Sequence, residues 1–225
     1  MKITDNYKKH TSKNPVQKFL LGNFYNSLIT LIKETDCFFL DFARDRNDGK
    51  RIHNDEKGGN QHYSINSILD AGCGEGFTLN KIYEAGVKEG LEGIDGSEEA
   101  ISIGRKIHPH LSLKQGNIYK LPYKNNSFDM VLSTEVLEHL EYPQEALKKL
   151  IRVSKKYVLL SVPNEPWFRL ANFLRGKNLS RFGNDIDHIN HWSSKSFREF
   201  IQKEKVRILI VRRPFPWIMC LMEKI

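Results

Sequence analysis

The spacing of apolar positions changes character part-way along the chain. Between residues 15 and 35 they recur at helical intervals: Leu20, Phe24, Leu28 and Leu31 share one line, with Leu21, Tyr25 and Ile32 beside it. A stripe that broad predicts an amphipathic helix with one buried face. Residues 41–63 then turn polar and rich in Asn, Asp, Gly, Lys and Arg, which predicts a long loop. Beyond it short apolar runs at 67–70, 91–94, 111–115, 128–133, 157–162, 206–211 and 217–222 predict strands. Amphipathic stretches at 78–85, 98–107, 143–153 and 194–202 predict the helices between them. Strand–helix alternation of this kind predicts an α/β fold, a mainly parallel seven-stranded sheet with helices on both faces. The division along the chain is then 1–63, a cap helix with its polar loop, and 64–225, the sheet domain.

Composition narrows the setting. The chain has 225 residues, 40% apolar and 28% charged, enough for one sizeable globular domain. Cys37, Cys73 and Cys220 are scattered and form no CxxC pair, which fits a reducing, cytoplasmic location. The first residues lack the apolar core of a signal peptide, and no apolar run reaches the ~20 residues that span a bilayer. The net charge of +8 is uneven: residues 164–225 carry 12 Lys/Arg against 6 Asp/Glu, whereas 67–163 carry 12 against 13. A basic end can draw in a phosphate, a carboxylate or RNA, or be a solvated surface.

In an open parallel sheet, ligands bind beyond the carboxyl ends of the strands. The first strand runs directly into Asp70-Ala-Gly-Cys-Gly-Glu-Gly76, where Gly72, Gly74 and Gly76 allow sharp turns and close approach to a ligand. Asp95 ends the second strand, 19 residues after Gly76, where a carboxylate can take both hydroxyls of a ribose. Gly116-Asn117-Ile118 follows the third strand, offering a polar edge and an apolar face suited to an adenine ring. The fourth strand leads into Thr134-Glu-Val-Leu-Glu-His-Leu140. A dinucleotide site is the competing reading, but its GxGxxG/A fingerprint needs a small residue where this chain has Phe77. With Glu75 inside the loop and no basic group beside it, a cationic sulfonium suits the turn better than a pyrophosphate.

Residues 68–77, Gly93-Ile94-Asp95, Gly116-Asn117-Ile118 and 128–140 resemble the motifs of class I S-adenosylmethionine-dependent methyltransferases, over about residues 66–163. The resemblance implies a Rossmann-like class I methyltransferase fold, with the helix after Asn14-Pro15 as an N-terminal cap and an acceptor-side segment at about 164–200. It implies S-adenosylmethionine as cofactor: Asp70, Gly72, Gly74 and Gly76 on its methionine part, Asp95 on the ribose, and Asn117 and Ile118 on the adenine. Cys73, Gly96, Thr134 and Glu135 complete that cofactor-binding set. Asn117 stands where the family often has Asp, and its carbonyl oxygen can still accept from an adenine amino group.

The acceptor side is less defined. Glu135, Glu138 and His139 are spaced i, i+3 and i+4, so a helical turn would set them on one face. His188 and His191 precede Trp192 and a helix capped by Ser193 or Ser194. His139, His188 and His191 are the candidate bases or acceptor-orienting groups of a transfer to a small molecule, with no metal. An alternative is that Glu135-x-x-Glu138-His139 with His188 is similar to the metal-binding pattern of small-RNA 3′-end 2′-O-methyltransferases. That would make these four residues ligands of Mg²⁺ or Mn²⁺ and RNA the acceptor. The aromatics among arginines at 167–175 could stack on bases, or be the packed face of a helix. A third reading keeps the fold as a non-catalytic domain that binds the cofactor or a partner.

Overall fold

The computed structural model describes residues 4–45, 65–174, 182, 185 and 187–225. The elements run α1 (Asp5–Thr11), α2 (Pro15–Asp45), β1 (Ile68–Ala71), α3 (Phe77–Glu84), β2 (Leu91–Asp95), α4 (Glu98–Ile107), β3 (Ser112–Gln115) and β4 (Phe128–Thr134). They continue with α5 (Pro143–Val153), β5 (Ser154–Pro163), α6 (Trp167–Leu174), α7 (Ser194–Ile201), β6 (Val206–Arg212) and β7 (Trp217–Lys224). The strands form one seven-stranded sheet in the order β3-β2-β1-β4-β5-β7-β6. The pairings are parallel from β3 to β5, and β7 runs antiparallel to both β5 and β6. Because β1 and β4 are adjacent while β2 and β3 lie on the far side of β1, the strand order reverses between β1 and β4. That junction opens a crevice above the strand tips.

Alternate residues of each strand feed two cores. Ile68, Met130, Leu132, Leu159 and Leu221 pack with Leu20, Phe24, Leu28 and Leu31 of α2 on one face. Leu69, Val131, Val158, Leu160 and Cys220 pack with Leu147 and Leu150 of α5 and Phe197 of α7 on the other. Local chemistry sets the helix starts. Ser97 Oγ accepts from Ala100 N to begin α4, Pro143 occupies the first turn of α5, and Ser193 and Ser196 form a reciprocal capping box on α7.

The structure departs from the sequence pattern in three places. Helix α1 was not expected, because it has no buried residue and therefore no apolar stripe. Helix α2 continues to Asp45, through the first part of the loop expected at 41–63; residues 41–45 hold neither Gly nor Pro to stop it, and the rest of that loop lies outside the described residues. The turn after β4 is a 3₁₀ turn over Leu137–His139, and Glu135 stands outside it at φ +59°. Glu135, Glu138 and His139 therefore do not share one face of an α-helical turn. Part of the segment at 164–200 also lies outside the described residues, and of Cys37 only its place in α2 is described. No described helix is long and apolar enough to cross a membrane.

Candidate functional site

The glycine loop turns directly above β1. Gly72 N and Cys73 N both donate to Ile94 O at the end of β2, which folds the loop back over the sheet. Gly72 has φ +89°, and a Cβ there would lie 2.3 Å from Val136 Cγ2. Only glycine lets the loop and the segment after β4 approach so closely. Asp95 fixes the loop from the other side: Oδ2 accepts from Gly74 N and Oδ1 from Ser97 N, each at 2.8 Å. Each carboxylate oxygen has a second acceptor site, so this role leaves capacity for a ligand hydroxyl.

A cavity of about 610 Å³ opens here, and Gly72, Asp95, Gly96, Asn117 and Ile118 of the expected cofactor set line it. Ile94, Val136 and Leu140 give it apolar walls, and Gln115 and Tyr119 add polar ones. Sequence reasoning missed these five. Gln115 and Tyr119 flank the Gly116–Ile118 motif, which was the available signal. Asn117 Oδ1 also takes the Tyr119 N–H at 2.8 Å and caps the turn at Ile118–Lys120, with its second acceptor site left for a ligand. Cys73 and Thr134 are buried, and the Cys73 side chain belongs to the core beneath Gly93.

Asp70, at the tip of β1, is 1% exposed and neither carboxylate oxygen has a hydrogen-bond partner. Burial first, and then the Asp95 charge, push its carboxyl up to about 7. A buried anion without a partner is costly, and a cation brought into the loop would relieve that cost. The neighbouring Glu75 is also fully buried, but it accepts from Thr4 Oγ1 and Asn6 Nδ2 at the start of α1. Helix α1 thereby sits on the glycine loop. His10 stacks on Phe77 with ring centroids 4.4 Å apart and meets the Tyr25 hydroxyl at 3.1 Å.

Beyond Val136 the site changes character. Glu135 accepts from the indole N–H of Trp217 and from Ser161 Oγ, and lies 3.9 Å from Lys9 Nζ. Burial raises the Glu135 carboxyl, and Lys9 opposes that shift. Glu138 is 1% exposed with neither oxygen hydrogen-bonded, and burial and the Glu135 charge push it well above the carboxylate range. Potential ligand atoms of Glu138, His139 and His188 all lie within 4.8 Å of one another, so these three could hold a divalent ion. Glu135 is not in that group. The chain at 187–190 is clipped to this turn: Ile189 N and Asn190 N donate to Glu138 O, and His139 Nδ1 meets Asp187 O at 2.8 Å. His191 stands apart, 3.7 Å from a half-buried Glu165. The structure thus gathers His139 and His188 and separates His191 from them.

The profile of a methyltransferase domain family matches residues 69–161. An uncharacterized methyltransferase of Schizosaccharomyces pombe is 38% identical over 100 residues, 39% of this chain and 36% of that protein. The chain therefore spans little more than a third of that relative. The demethylmenaquinone methyltransferase of Shouchella clausii is 29% identical over 160 residues, 64% of this chain and 68% of that protein. A SAM-dependent methyltransferase from Aquifex aeolicus shares the fold with a TM-score of 0.55 at 17% identity, covering 71% of this chain and 82% of that one.

Proposed function

The chain belongs to the class I S-adenosylmethionine-dependent methyltransferase superfamily, and from that premise we propose that it transfers the cofactor's methyl group to a small-molecule acceptor. The observation that carries this reading is the buried, unpartnered Asp70 carboxylate, two residues before Gly72 in the wall of the 610 Å³ cavity. Asp70 fits the ammonium of the methionine part, Asp95 the ribose, and the walls formed by Ile94, Ile118 and Leu140 the adenine. Asn117 also holds the turn that shapes this wall. The bound cofactor supplies an electrophilic methyl on a sulfonium. The chain's task is to hold the acceptor in line and keep water out, with α1 covering the loop and His139 and His188 on the acceptor side. The relative named for demethylmenaquinone supports an acceptor of small-molecule size.

Calorimetric titration with S-adenosylhomocysteine tests the cofactor site. Asp95→Ala removes a ribose partner and the clamp on Gly74 and Ser97, so its affinity falls at least about tenfold. An unchanged affinity would remove Asp95 from the site. A second reading, favoured by the clustered donor atoms of Glu138, His139 and His188, places a divalent ion at the mouth of the acceptor side.

A further inference from the structure

Lys9 and Glu135 form an ion pair at the turn that follows β4. Glu135 immediately precedes Val136, whose side chain closes against Gly72 of the glycine loop. It sits over the ends of β4 and β5, next to Ser161 and the indole N–H of Trp217. Lys9 comes from the other direction, on α1, with its ammonium 5.5 Å from the centre of the Trp217 ring. Both side chains reach solvent in part, 31% for Lys9 and 19% for Glu135, so a small molecule can approach them. Their charged atoms are 3.9 Å apart. That is longer than a direct hydrogen bond and short enough for one oxygen to touch both groups.

The charges on the two sides restrict what can sit there. A protonated amine would be repelled by Lys9, and an acceptor carboxylate would be repelled by Glu135. A neutral hydroxyl satisfies both, because it accepts a hydrogen bond from the ammonium and donates one to the carboxylate. The acidity of that hydroxyl is restricted too. A phenol titrates near about 10 and water near about 16, so only a phenolic or enolic proton is within reach of a carboxylate. Beneath the pair Trp217 is held in the core by Phe24 and Phe168, 5.1 and 6.5 Å away centroid to centroid, so the indole N–H that Glu135 accepts is fixed in place.

We propose that the acceptor is a phenolic or enolic hydroxyl compound whose oxygen is held between the Lys9 ammonium and the Glu135 carboxylate. This rests on the assignment of the glycine loop to the cofactor. As the oxygen–methyl bond forms, the sulfur–methyl bond breaks with its electron pair left on sulfur, and the hydroxyl proton passes to Glu135. Lys9 stabilises the negative charge that develops on oxygen. The raised Glu135 carboxyl makes it a better proton acceptor than an exposed carboxylate.

The test uses the full chain saturated with S-adenosylhomocysteine and compares binding of 4-methylphenol with its methyl ether, 4-methylanisole. A site built to hydrogen-bond a hydroxyl rejects the analogue that lacks it, so the phenol binds about tenfold or more tightly. Lys9→Met and Glu135→Gln each bring the two ligands to within about threefold, whereas Lys9→Arg keeps the preference. Melting curves verify that each variant is folded. Equal binding of the two ligands to the saturated wild type, or a preference that survives both substitutions, overturns the proposal and leaves the cofactor assignment standing. Failure of S-adenosylhomocysteine to bind at all overturns both.

Discussion

Asp70 is carried by the first strand into a place where an ionised carboxylate has no protein partner. Its carboxyl is raised from 3.8 to about 7 in the fold, so the folded state holds a proton that the unfolded chain has already released. Stability contributed by that proton is present below about pH 4 and is lost as pH rises towards 7. Asp70→Asn removes this dependence. Thermal melts of the ligand-free variant should fall less steeply than those of the wild type between about pH 4 and 7, and at pH 8 the variant should be more stable by about 4 kcal/mol. The same change should weaken S-adenosylhomocysteine binding at least about tenfold, because Asn offers no charge to an ammonium. Higher stability with unchanged binding would separate Asp70 from the ligand. The positions of Asp70, Asp95 and the glycines at strand tips were legible in the sequence, because each follows directly on an apolar strand run. The sequence did not reveal that Asp95 clamps Gly74 and Ser97, or that Asn117 caps a turn, since both bonds depend on where the backbone amides point.

Elements with their own apolar period were legible to within a few residues, and α1 was not. Asp5–Thr11 reads Asp-Asn-Tyr-Lys-Lys-His-Thr and is held by contacts to residues about 70 positions away, which no local period records. The place of β7 between β5 and β6 was hidden for a similar reason, because an apolar run does not state its neighbours. Helix α1 is held by polar and ring contacts and therefore belongs among the parts of the fold that open most easily. His10 makes that opening depend on pH. Burial, helped by the charges of Lys9 and Lys81, lowers it from 6.5 to about 3, so it is neutral when docked. The docking contribution is complete above about pH 6.5 and is lost as pH falls towards 3. Because Lys9 rests over Trp217, undocking should change tryptophan emission between pH 7 and 5. His10→Phe keeps the stacking on Phe77 and should abolish the change; an identical titration in the variant would show that α1 does not move with His10.

Across the whole molecule, chemistry is divided between two parts that local sequence does not join. The residues proposed for the cofactor lie at the ends of β1 to β4, while the proposed acceptor side joins the turn after β4 to residues 187–190, about 50 positions later. Those two parts are held by backbone bonds from Ile189 and Asn190 to Glu138 O, which bring His188 to Glu138 and His139. The i, i+3, i+4 spacing suggested a face that includes Glu135, but the left-handed backbone at Glu135 turns it instead to Trp217 and Lys9. What remains is one buried carboxylate without a partner and two imidazoles, a mixed oxygen and nitrogen set that suits Mn²⁺ better than Mg²⁺ or Ca²⁺. An ion held there would tie the two parts together, so its effect belongs to global stability. At a free concentration about 100 times its dissociation constant, a ligand of the folded state adds about 2.7 kcal/mol. In a protein of this size that raises the melting temperature by several degrees. Mn²⁺ should produce such a rise and Mg²⁺ a smaller one. Glu138→Gln and His188→Ala should each remove it, with their metal-free melting temperatures serving as references. No rise with Mn²⁺, or a rise that persists in both variants, would leave the cluster as a buried carboxylate with two histidines and no ion to hold.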